Sequence, residues 1–273
     1  MIVFPNAKIN LGLFITELRP DGFHNIETVF LPVPTLCDIL EVIPLTGDKP
    51  EVAFSSSGLP IDSDDESNLC VKAYRSLSER IKLPPVDMHL YKQIPLGAGL
   101  GGGSADGAFA LRMLNSMAKN PLTDNQLGAI ALELGSDCPF FLVNKPCLAK
   151  GRGELLLHVN PPLKGKHLLI VNPNISVSTG TAYSMCSPQP PPMNLKHAIE
   201  KPILQWRGEV YNDFEKIVFS IHSEISALKD ELYTMGAIFA AMTGSGSTVY
   251  GIFDDEPDFE GRFEGMFRFK CKL

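Results

Sequence analysis

A dense run of glycines at residues 97–104 is the feature of this sequence that points most directly to chemistry. The segment is Gly-Ala-Gly-Leu-Gly-Gly-Gly-Ser, and it leads straight into an apolar, helix-compatible stretch. Glycine has no Cβ and tolerates positive φ, so its backbone can approach a bulky ligand closely. A helix that begins where such a loop ends directs its free N–H groups and the positive end of its dipole at that ligand. The pattern therefore predicts an anion site, most commonly one for phosphate.

Three classes of phosphate-binding protein use glycine loops in this way. The P-loop requires a Lys followed by Ser or Thr after its last glycine, whereas here Ser104 follows directly. The dinucleotide pattern G-x-G-x-x-G is matched by Gly97, Gly99 and Gly102, but it also needs an acidic residue at the end of a second strand. The nearest acidic candidate, Asp124, lies in a segment typical of a helix-start capping box. Kinases whose glycine amides wrap the phosphates of ATP form the third class.

A flexible linker is the non-functional alternative for the glycine run. Linkers are rich in Ser and Gly and have polar flanks. Here the flanks at 88–94 and 108–114 are apolar and typical of a protein core. The sequence therefore favours a ligand-binding loop held between ordered elements.

Charge and composition exclude several classes of partner. The 273 residues carry a formal net charge of -7, whereas a nucleic-acid surface normally carries a basic patch. The six cysteines contain no C-x-x-C pair, which predicts reduced thiols in a cytoplasmic protein. We expect no signal peptide and no membrane span, since no apolar run reaches the roughly 18 residues that a span requires. A small molecule is the expected partner, and both a monomer and a homodimer remain open.

The elements that must position the loop alternate irregularly between strands and helices. Residues 8–15 are apolar at every second position, which predicts a strand with Lys8 and Asn10 on its other face. The pattern predicts further strands at 39–43, 51–54, 86–94, 167–172, 237–242, 248–253 and 267–273, a turn leading into a strand over 136–143, and helices at 67–82, 104–118, 124–134 and 211–230. Because no regular βαβ repeat is present, the prediction is an α+β fold rather than a doubly wound parallel sheet.

Three segments, in this order, resemble the sequence motifs of the GHMP kinases, the galactokinase, homoserine, mevalonate and phosphomevalonate kinase family. They are residues 5–12 (Pro-Asn-Ala-Lys-Ile-Asn-Leu-Gly), the glycine loop with its flanks at 95–106, and residues 242–247 (Met-Thr-Gly-Ser-Gly-Ser). Residues 21–24 (Asp-Gly-Phe-His) and 135–141 (Gly-Ser-Asp-Cys-Pro-Phe-Phe) extend the resemblance over nearly the whole chain.

The resemblance implies a two-lobed α+β GHMP kinase fold. Its N-terminal lobe would be like domain 2 of ribosomal protein S5, and its C-terminal lobe a ferredoxin-like α/β sandwich. We expect the N-terminal ATP-binding domain to span residues 1–155 and the C-terminal domain residues 156–273.

Within the family, the sequence is most similar to the members that act on a cytidine-diphosphate-linked methylerythritol. The resemblance implies transfer of the γ-phosphoryl group of ATP, with Mg²⁺, to the 2-hydroxyl of that acceptor, on the methylerythritol phosphate route to isoprenoids. A carboxylate that takes the proton of the alcohol typically contributes about 10²–10⁴-fold, and by resemblance this base is Asp137. A cation would stabilise the carboxylate and orient the hydroxyl, and by resemblance it is Lys8. The plain structural alternatives are a turn aspartate and a solvated strand lysine.

By resemblance, the amides of the glycine loop hold the β- and γ-phosphates and stabilise the charge that builds on them. Asn68 and Lys92 stand where the family contacts adenine or phosphate, although Lys92 also fits a solvated strand residue. Ser104 fits a phosphate contact, a Mg²⁺ ligand or the N-cap of the next helix; the metal ligands are otherwise unassigned. Asp106 would bring negative charge near ATP unless it faced Mg²⁺ or solvent. The predicted nucleotide-binding residues are Asn68, Lys92, Pro95, Leu96, Gly97, Ala98, Gly99, Leu100, Gly101, Gly102, Gly103, Ser104 and Ala105.

By resemblance, His24 contacts the edge of cytosine while Phe23 and Tyr183 stack on its ring. Phe23 replaces the tyrosine that is commoner in the family, which keeps the stacking surface but removes a hydroxyl. Asn10 and Thr179 would lie near the erythritol or the diphosphate. The predicted acceptor-site residues are Asn10, Phe23, His24, Thr179, Tyr183, Gly244, Ser245 and Gly246.

Three rival functions make different predictions. Another GHMP kinase, such as a mevalonate or homoserine kinase, would share the ATP loop but would not need His24 and its aromatic partners. A non-catalytic nucleotide-dependent sensor on the same fold would lack the base or the lysine, whereas the sequence contains both Asp137 and Lys8. A dinucleotide oxidoreductase would bind NAD rather than ATP.

Overall fold

The computed structural model describes residues 1–46, 51–61 and 64–273. Within these ranges the strands are β1 (Ile2–Val3), β2 (Asn6–Leu18), β3 (His24–Cys37), β4 (Ile39–Pro44), β5 (Val52–Gly58), β6 (Val86–Lys92), β7 (Cys147–Lys150), β8 (Leu155–His158), β9 (His167–Asn172), β10 (Phe239–Met242), β11 (Val249–Phe253) and β12 (Phe267–Lys272). The α-helices are α1 (Leu69–Ser78), α2 (Gly102–Met117), α3 (Asp124–Leu134), α4 (Cys138–Val143), α5 (Thr179–Ser184), α6 (Leu195–Glu200), α7 (Asp213–Ile221) and α8 (Ser223–Thr234). Short 3₁₀ turns occur at Asp65–Ser67 and Ile203–Gln205.

The predicted α+β class is confirmed by three four-stranded sheets and the helices between their strands. The strand orders are β1-β4-β6-β5, β2-β3-β7-β8 and β10-β11-β9-β12. β5 and β6 run parallel, whereas β4 and β6 are antiparallel, as are the pairs of the third sheet. These sheets therefore differ from a doubly wound parallel sheet, because most of the paired strands run in opposite directions.

The chain divides into two compact units, and each is assembled from separate segments. One unit contains residues 1–7, 34–96 and 101–144, and the other contains residues 8–33, 97–100 and 145–273. The expected domain boundary at residue 155 stays a prediction.

In the first unit, β6 buries every second residue against the helical layer, as the alternating sequence predicted. Helix α1 packs closely on α2, and a Cβ at Gly107 would lie 2.8 Å from the Cβ of Leu69. Larger side chains at Gly107 would therefore separate the two helices. This close packing fixes the helix that follows the glycine loop.

The predicted turn into a strand over 136–143 is wrong in its strand, because residues Cys138–Val143 form the short helix α4. Pro139 lies in its first turn, where the missing N–H costs no internal hydrogen bond. Asn144 ends the helix in the left-handed region at φ 49°. A short apolar run of this length is compatible with a buried strand or a buried helix turn, since periodicity does not separate them.

In the second unit, α7 and α8 cover the sheet formed by β10, β11, β9 and β12. Their buried residues join a core that includes Phe214, Val218 and Leu232 together with Leu169 and Val249 of the sheet. The C-terminal strand β12 alternates between half-buried and exposed residues, which confirms the predicted strand with one wet face. The predicted helical region 211–230 is confirmed as α7 and α8.

Candidate active site

The glycine loop has the backbone conformations that its composition predicted. Gly97, Gly99 and Gly101 adopt φ values of +61°, +76° and +72°, a region that L side chains rarely enter. A Cβ at Gly99 would also collide with the carbonyl oxygen of Thr243. The loop therefore depends on glycine both for its conformation and for close approach of the backbone.

Helix α2 begins at Gly102, and Gly101 is its N-cap. The prediction of Ser104 as the N-cap is therefore wrong, since Ser104 lies inside the first turn. Its side chain hydrogen-bonds the Cys138 thiol, and burial raises the pKa of that thiol to about 12. Cys138 is thus a buried, protonated group rather than a nucleophile.

Asn68 is the N-cap of α1, where its side-chain oxygen accepts a hydrogen bond from the N–H of Cys70 at 2.9 Å. The predicted start of this helix near Ser67 and Asn68 is confirmed. A nucleotide contact by Asn68 stays a prediction, with its amide N–H₂ group as the donor that the cap leaves unused.

Lys92 lies inside the first unit, with only 1% of its side chain exposed. Its ammonium donates to Asp38 Oδ2 at 2.5 Å and to Asp106 Oδ2 at 2.7 Å. The alternative of a solvated strand lysine is therefore wrong. Asp106 faces this ammonium and is 2% exposed, so its charge is opposed by Lys92 and is not directed at solvent. Whether Lys92 contacts the nucleotide stays a prediction.

Two carboxylates share one ammonium in this buried cluster of Asp38, Lys92 and Asp106. Burial, together with the charge of Asp38, raises the pKa of Asp106 from 3.8 to about 7, although Lys92 opposes the shift. Burial alone lowers the pKa of Lys92, but Asp106 and Asp38 outweigh it and raise the pKa above its ordinary value. The second oxygen of Asp106, Oδ1, is buried without a hydrogen-bond partner, which makes it the natural place for a proton.

This raised pKa predicts a pH-dependent contribution to stability. Between about pH 4 and pH 7 folded Asp106 holds a proton that the unfolded chain releases, so its contribution is complete below pH 4 and is lost as the pH rises through 7. Asn cannot ionise, so Asp106→Asn should not lose this contribution as the pH rises. The free energy of unfolding of the variant, minus that of the wild type, should therefore increase by about 2 kcal/mol when the pH is raised from 5 to 8. Urea unfolding at both pH values measures this difference. Parallel pH curves for the two proteins would contradict the assignment.

Lys8 and Asn10 lie side by side in β2 and are 3% and 2% exposed. The Lys8 ammonium donates to Asn10 Oδ1 at 2.7 Å and to the Gly99 carbonyl at 3.1 Å. It also lies 5.2 Å from the centre of the Phe30 ring. The alternative of a solvated strand lysine is therefore wrong for Lys8 as well. A cation held in this way has a fixed position beside the glycine-loop backbone.

Asn10 connects that lysine to the second glycine loop. Its Oδ1 accepts hydrogen bonds from the Thr243 hydroxyl and from the Gly244 N–H, both at 3.0 Å, and its amide donates to the Thr28 hydroxyl at 2.9 Å. The Thr243 hydroxyl is also 3.1 Å from the Gly99 carbonyl. All of Asn10's side-chain oxygen contacts are thus internal, so Asn10 holds the backbone of the two glycine loops in register.

Asp137 occupies the position immediately before α4 and is half-buried. Its side chain makes no capping hydrogen bond to the helix, unlike most aspartates at this position. The preceding Gly135 ends α3, as predicted, although its φ of 172° is ordinary extended backbone. The chain thus places a half-buried carboxylate at the start of the buried helix α4.

The structure brings together two of the predicted base-contacting residues, His24 and Tyr183. Their rings are stacked, with centroids 5.0 Å apart and an interplanar angle of 26°. Tyr183 is supported from the side by Phe214 at 4.8 Å. Phe23 is 46% exposed and lies on the Pro-Asp-Gly turn, and the guanidinium of Arg152 sits 3.6 Å from the centre of its ring. His24 and Arg152 thus each cover one side of an aromatic ring, and stacking of Phe23 or Tyr183 on a base stays a prediction.

Thr179 lies in the first turn of α5, whose N-cap is Ser178. Its hydroxyl is 2.9 Å from the hydroxyl of Ser245 in the second glycine loop. The flanking Gly244 and Gly246 adopt φ values of +57° and +92°. These residues form one connected polar group, although their contact with an acceptor stays a prediction.

Sequence analysis missed Asp38, Thr28 and Arg152. Asp38 sits between two strands, Thr28 lies within a strand, and Arg152 follows a glycine in a turn, and none has a local pattern that marks a functional site. Each acquires its importance from a partner distant in the sequence.

No preformed metal centre is found in the described parts of the chain, where no three His, Cys, Asp or Glu side chains are grouped to hold a cation. The same residues contain no helix that is long and apolar enough to cross a membrane. Nor does a disulfide join the six cysteines among them.

Comparison with known proteins agrees with the fold and the loops. Residues 68–145 match the model of the GHMP kinases N terminal domain, and residues 197–267 match that of the GHMP kinases C terminal region. The chain belongs to the GHMP kinase family.

Several similar proteins have the same name. Two strains of Bacteroides fragilis have a protein called 4-diphosphocytidyl-2-C-methyl-D-erythritol kinase that is 50% identical over 274 residues, covering 100% of both chains. The protein of that name from Parabacteroides distasonis is 46% identical and covers 95% of this chain and 94% of its own. A solved structure of 4-(cytidine 5'-diphospho)-2C-methyl-D-erythritol kinase is 30% identical, has a TM-score of 0.75, and covers 92% of this chain and 90% of its own.

Proposed function

We propose that this chain transfers the γ-phosphoryl group of ATP to the 2-hydroxyl of 4-diphosphocytidyl-2-C-methyl-D-erythritol. The products are the 2-phosphate and ADP, and the reaction belongs to the methylerythritol phosphate route to isoprenoid precursors. The observation that carries this proposal is the 50% identity, over the full length of both chains, with kinases named for this acceptor. The hydrogen bonds that join the two glycine loops also support it, because they connect segments that resemble the sequence motifs of the family.

The amides of residues 97–103 are the proposed phosphate ligands. The positive φ values of three of these glycines and the start of α2 at Gly102 favour an anion at the loop. Negative charge builds on the phosphoryl oxygens during transfer, so donors already held in position lower the barrier.

Magnesium fits this loop as an ion that arrives with ATP. Mg²⁺ prefers oxygen ligands and keeps several waters while bridging substrate phosphates, which needs few protein groups. Near the loop, Ser104 offers a hydroxyl, while the Asp106 carboxylate is already engaged by Lys92. When bound, the ion would supply charge neutralisation of the phosphates.

Asp137 is the proposed general base and Lys8 the proposed orienting cation. An alcohol is a poor nucleophile at neutral pH, so a carboxylate that accepts its proton as the new P–O bond forms accelerates the reaction. Asp137 is suited to this role because its carboxylate is half-buried and lies at the start of α4, where the helix dipole favours the ionised form. Lys8 is suited to its role because Asn10 and the Gly99 carbonyl hold its ammonium in place.

Cytosine recognition is proposed to rest on Phe23, His24 and Tyr183. Replacing Tyr183 by Ala removes one stacking face, which is worth about 1–3 kcal/mol per base, so the Kd for CDP should rise by about 10- to 100-fold. The matched Tyr183→Phe variant keeps the ring and should bind CDP within a few-fold of wild type. Isothermal titration with CDP measures both, and unaltered binding by the Ala variant would remove Tyr183 from the base site.

A coupled ADP-release assay tests the proposed function as a whole. We expect turnover with Mg-ATP and the cytidine-diphosphate acceptor, and no turnover with mevalonate or homoserine. Turnover with mevalonate or homoserine instead would retain the kinase family but overturn the acceptor. ATP binding without turnover of any acceptor would favour a nucleotide sensor, and binding of NAD in place of ATP would favour an oxidoreductase.

A further inference from the structure

The buried cluster of Asp38, Lys92 and Asp106 holds both ends of the nucleotide-loop segment within the first unit. On the incoming side, Asp38 Oδ1 accepts the backbone N–H groups of Gln93 at 2.6 Å and Ile94 at 2.8 Å. On the outgoing side, Asp106 lies in the first turns of α2, and its Oδ2 accepts from the Lys92 ammonium. Lys92 also binds Asp38, so one side chain bridges the two ends.

This bridge lies directly against the backbone that begins α2. A Cβ at Gly102 would lie 3.0 Å from Lys92 Nζ and 2.9 Å from Ile94 Cγ2, distances that real Cβ atoms rarely show. The three charged side chains are each at most 3% exposed. Ion pairs that are this well buried restrain the groups they join, because separating them would leave a charge without a partner in a dry interior.

An ion cluster of this kind contributes little net stability compared with apolar side chains of similar volume. Its connections suggest a different use, since it joins residues on either side of the loop rather than two distant surfaces. A loop of glycines is otherwise among the most mobile backbone segments. Fixing its two ends reduces the conformations that its phosphate-binding amides sample before ATP arrives.

We propose that Asp106 and Asp38 are positioning residues which, through Lys92, hold the glycine loop in the conformation that binds ATP. The inference rests on the proposed function for the identity of the ligand, and on the geometry of the cluster for the restraint itself. Asp106 touches no reacting atom in this scheme and acts by fixing the first turn of α2.

Asp106→Ala removes the contact between α2 and the Lys92 ammonium and leaves the Lys92–Asp38 pair intact. The Kd for Mg-ATP, measured by isothermal titration, should rise about 10-fold, because part of the binding free energy must then order the loop amides. Asp106→Asn keeps an oxygen that accepts from Lys92, and it should restore most of the affinity. In steady-state assays KM for ATP should rise, while kcat at saturating ATP and KM for the acceptor change little.

Asn115→Ala is the matched control. Asn115 is also buried in α2, but at its far end, where its side chain bonds the backbone of Leu122 at 2.8 and 3.0 Å. This variant should lose stability without changing the Kd for ATP. If Asp106→Ala folds and binds ATP as wild type does, or if Asn115→Ala weakens ATP binding equally, the positioning role is overturned.

Hydrogen exchange of the loop amides tests the restraint without ATP. In Asp106→Ala the amides of residues 101–105 should exchange about 10-fold faster, while those in Asn115→Ala keep the wild-type rates. Unchanged exchange in Asp106→Ala would overturn the inference. Faster exchange in Asp106→Ala, combined with a wild-type protein that fails to bind ATP, would instead support the restraint and overturn the proposed function.

Discussion

Replacing Asp137 by Asn is expected to lower kcat by about 10²–10⁴-fold, which is the typical contribution of a positioned general base. Asn has the same shape but cannot accept the proton of the acceptor hydroxyl as the P–O bond forms. The Kd for Mg-ATP should change little, because the loop amides that bind phosphate are untouched. Single-turnover measurement of ADP formation, with the cytidine-diphosphate acceptor saturating, reports the chemical step directly.

Asp137→Asn is expected to fold, because Asn is itself a favourable residue at a helix N-cap, the position that Asp137 occupies before α4. Asp124→Asn is the matched control, since Asp124 is exposed in the first turn of α3 and has no proposed role in the chemistry. Retention of more than half of the wild-type kcat by Asp137→Asn would show that another group accepts the proton.

Replacing Lys8 by Met is expected to lower kcat by about 10²-fold or more, comparable to the loss of one preorganised donor at a site of developing charge. Met has a similar length and fills the same buried space in β2, but it has no ammonium. The proposed cation orients the acceptor hydroxyl and stabilises charge during transfer, so its removal should act on the chemical step more than on ATP binding. Separate measurement of kcat and of KM for ATP distinguishes an effect on the chemical step from an effect on ATP binding.

The structure indicates that Lys8→Met should still fold. Among the acceptors of the Lys8 ammonium, the Gly99 carbonyl keeps the Thr243 hydroxyl as a donor, and Asn10 Oδ1 keeps the Gly244 N–H. Lys270→Met, on the wet face of β12, is the control for loss of a strand lysine. Near-normal turnover by a folded Lys8→Met protein would remove Lys8 from the catalytic machinery.

Local signals in the sequence determined a large share of this molecule. The glycine run predicted the positive φ values of Gly97, Gly99 and Gly101, because no other residue type enters that region readily. The Thr123-to-Gln126 capping box is present as predicted, which explains why Asp124 is not the acidic residue of a dinucleotide site. Apolar alternation located the strand at 8–15 and the C-terminal strand. All of these features depend on residues within a few positions of one another.

Tertiary structure alone decided the environment of the charged residues. The local sequence around Lys92 is the same whether its side chain meets solvent or the protein interior. Its burial depends on ion pairs with Asp38, 54 residues earlier, and with Asp106, which the fold brings next to it. The helix at Cys138–Val143 was likewise decided by burial, since its short apolar run suits either a strand or a helix. Local spacing specifies backbone conformation, whereas the partner of a polar side chain depends on which distant segments the fold brings against it. The sequence therefore identified candidate chemical groups of this kinase, and the three-dimensional packing decided which of them are buried and which groups they contact.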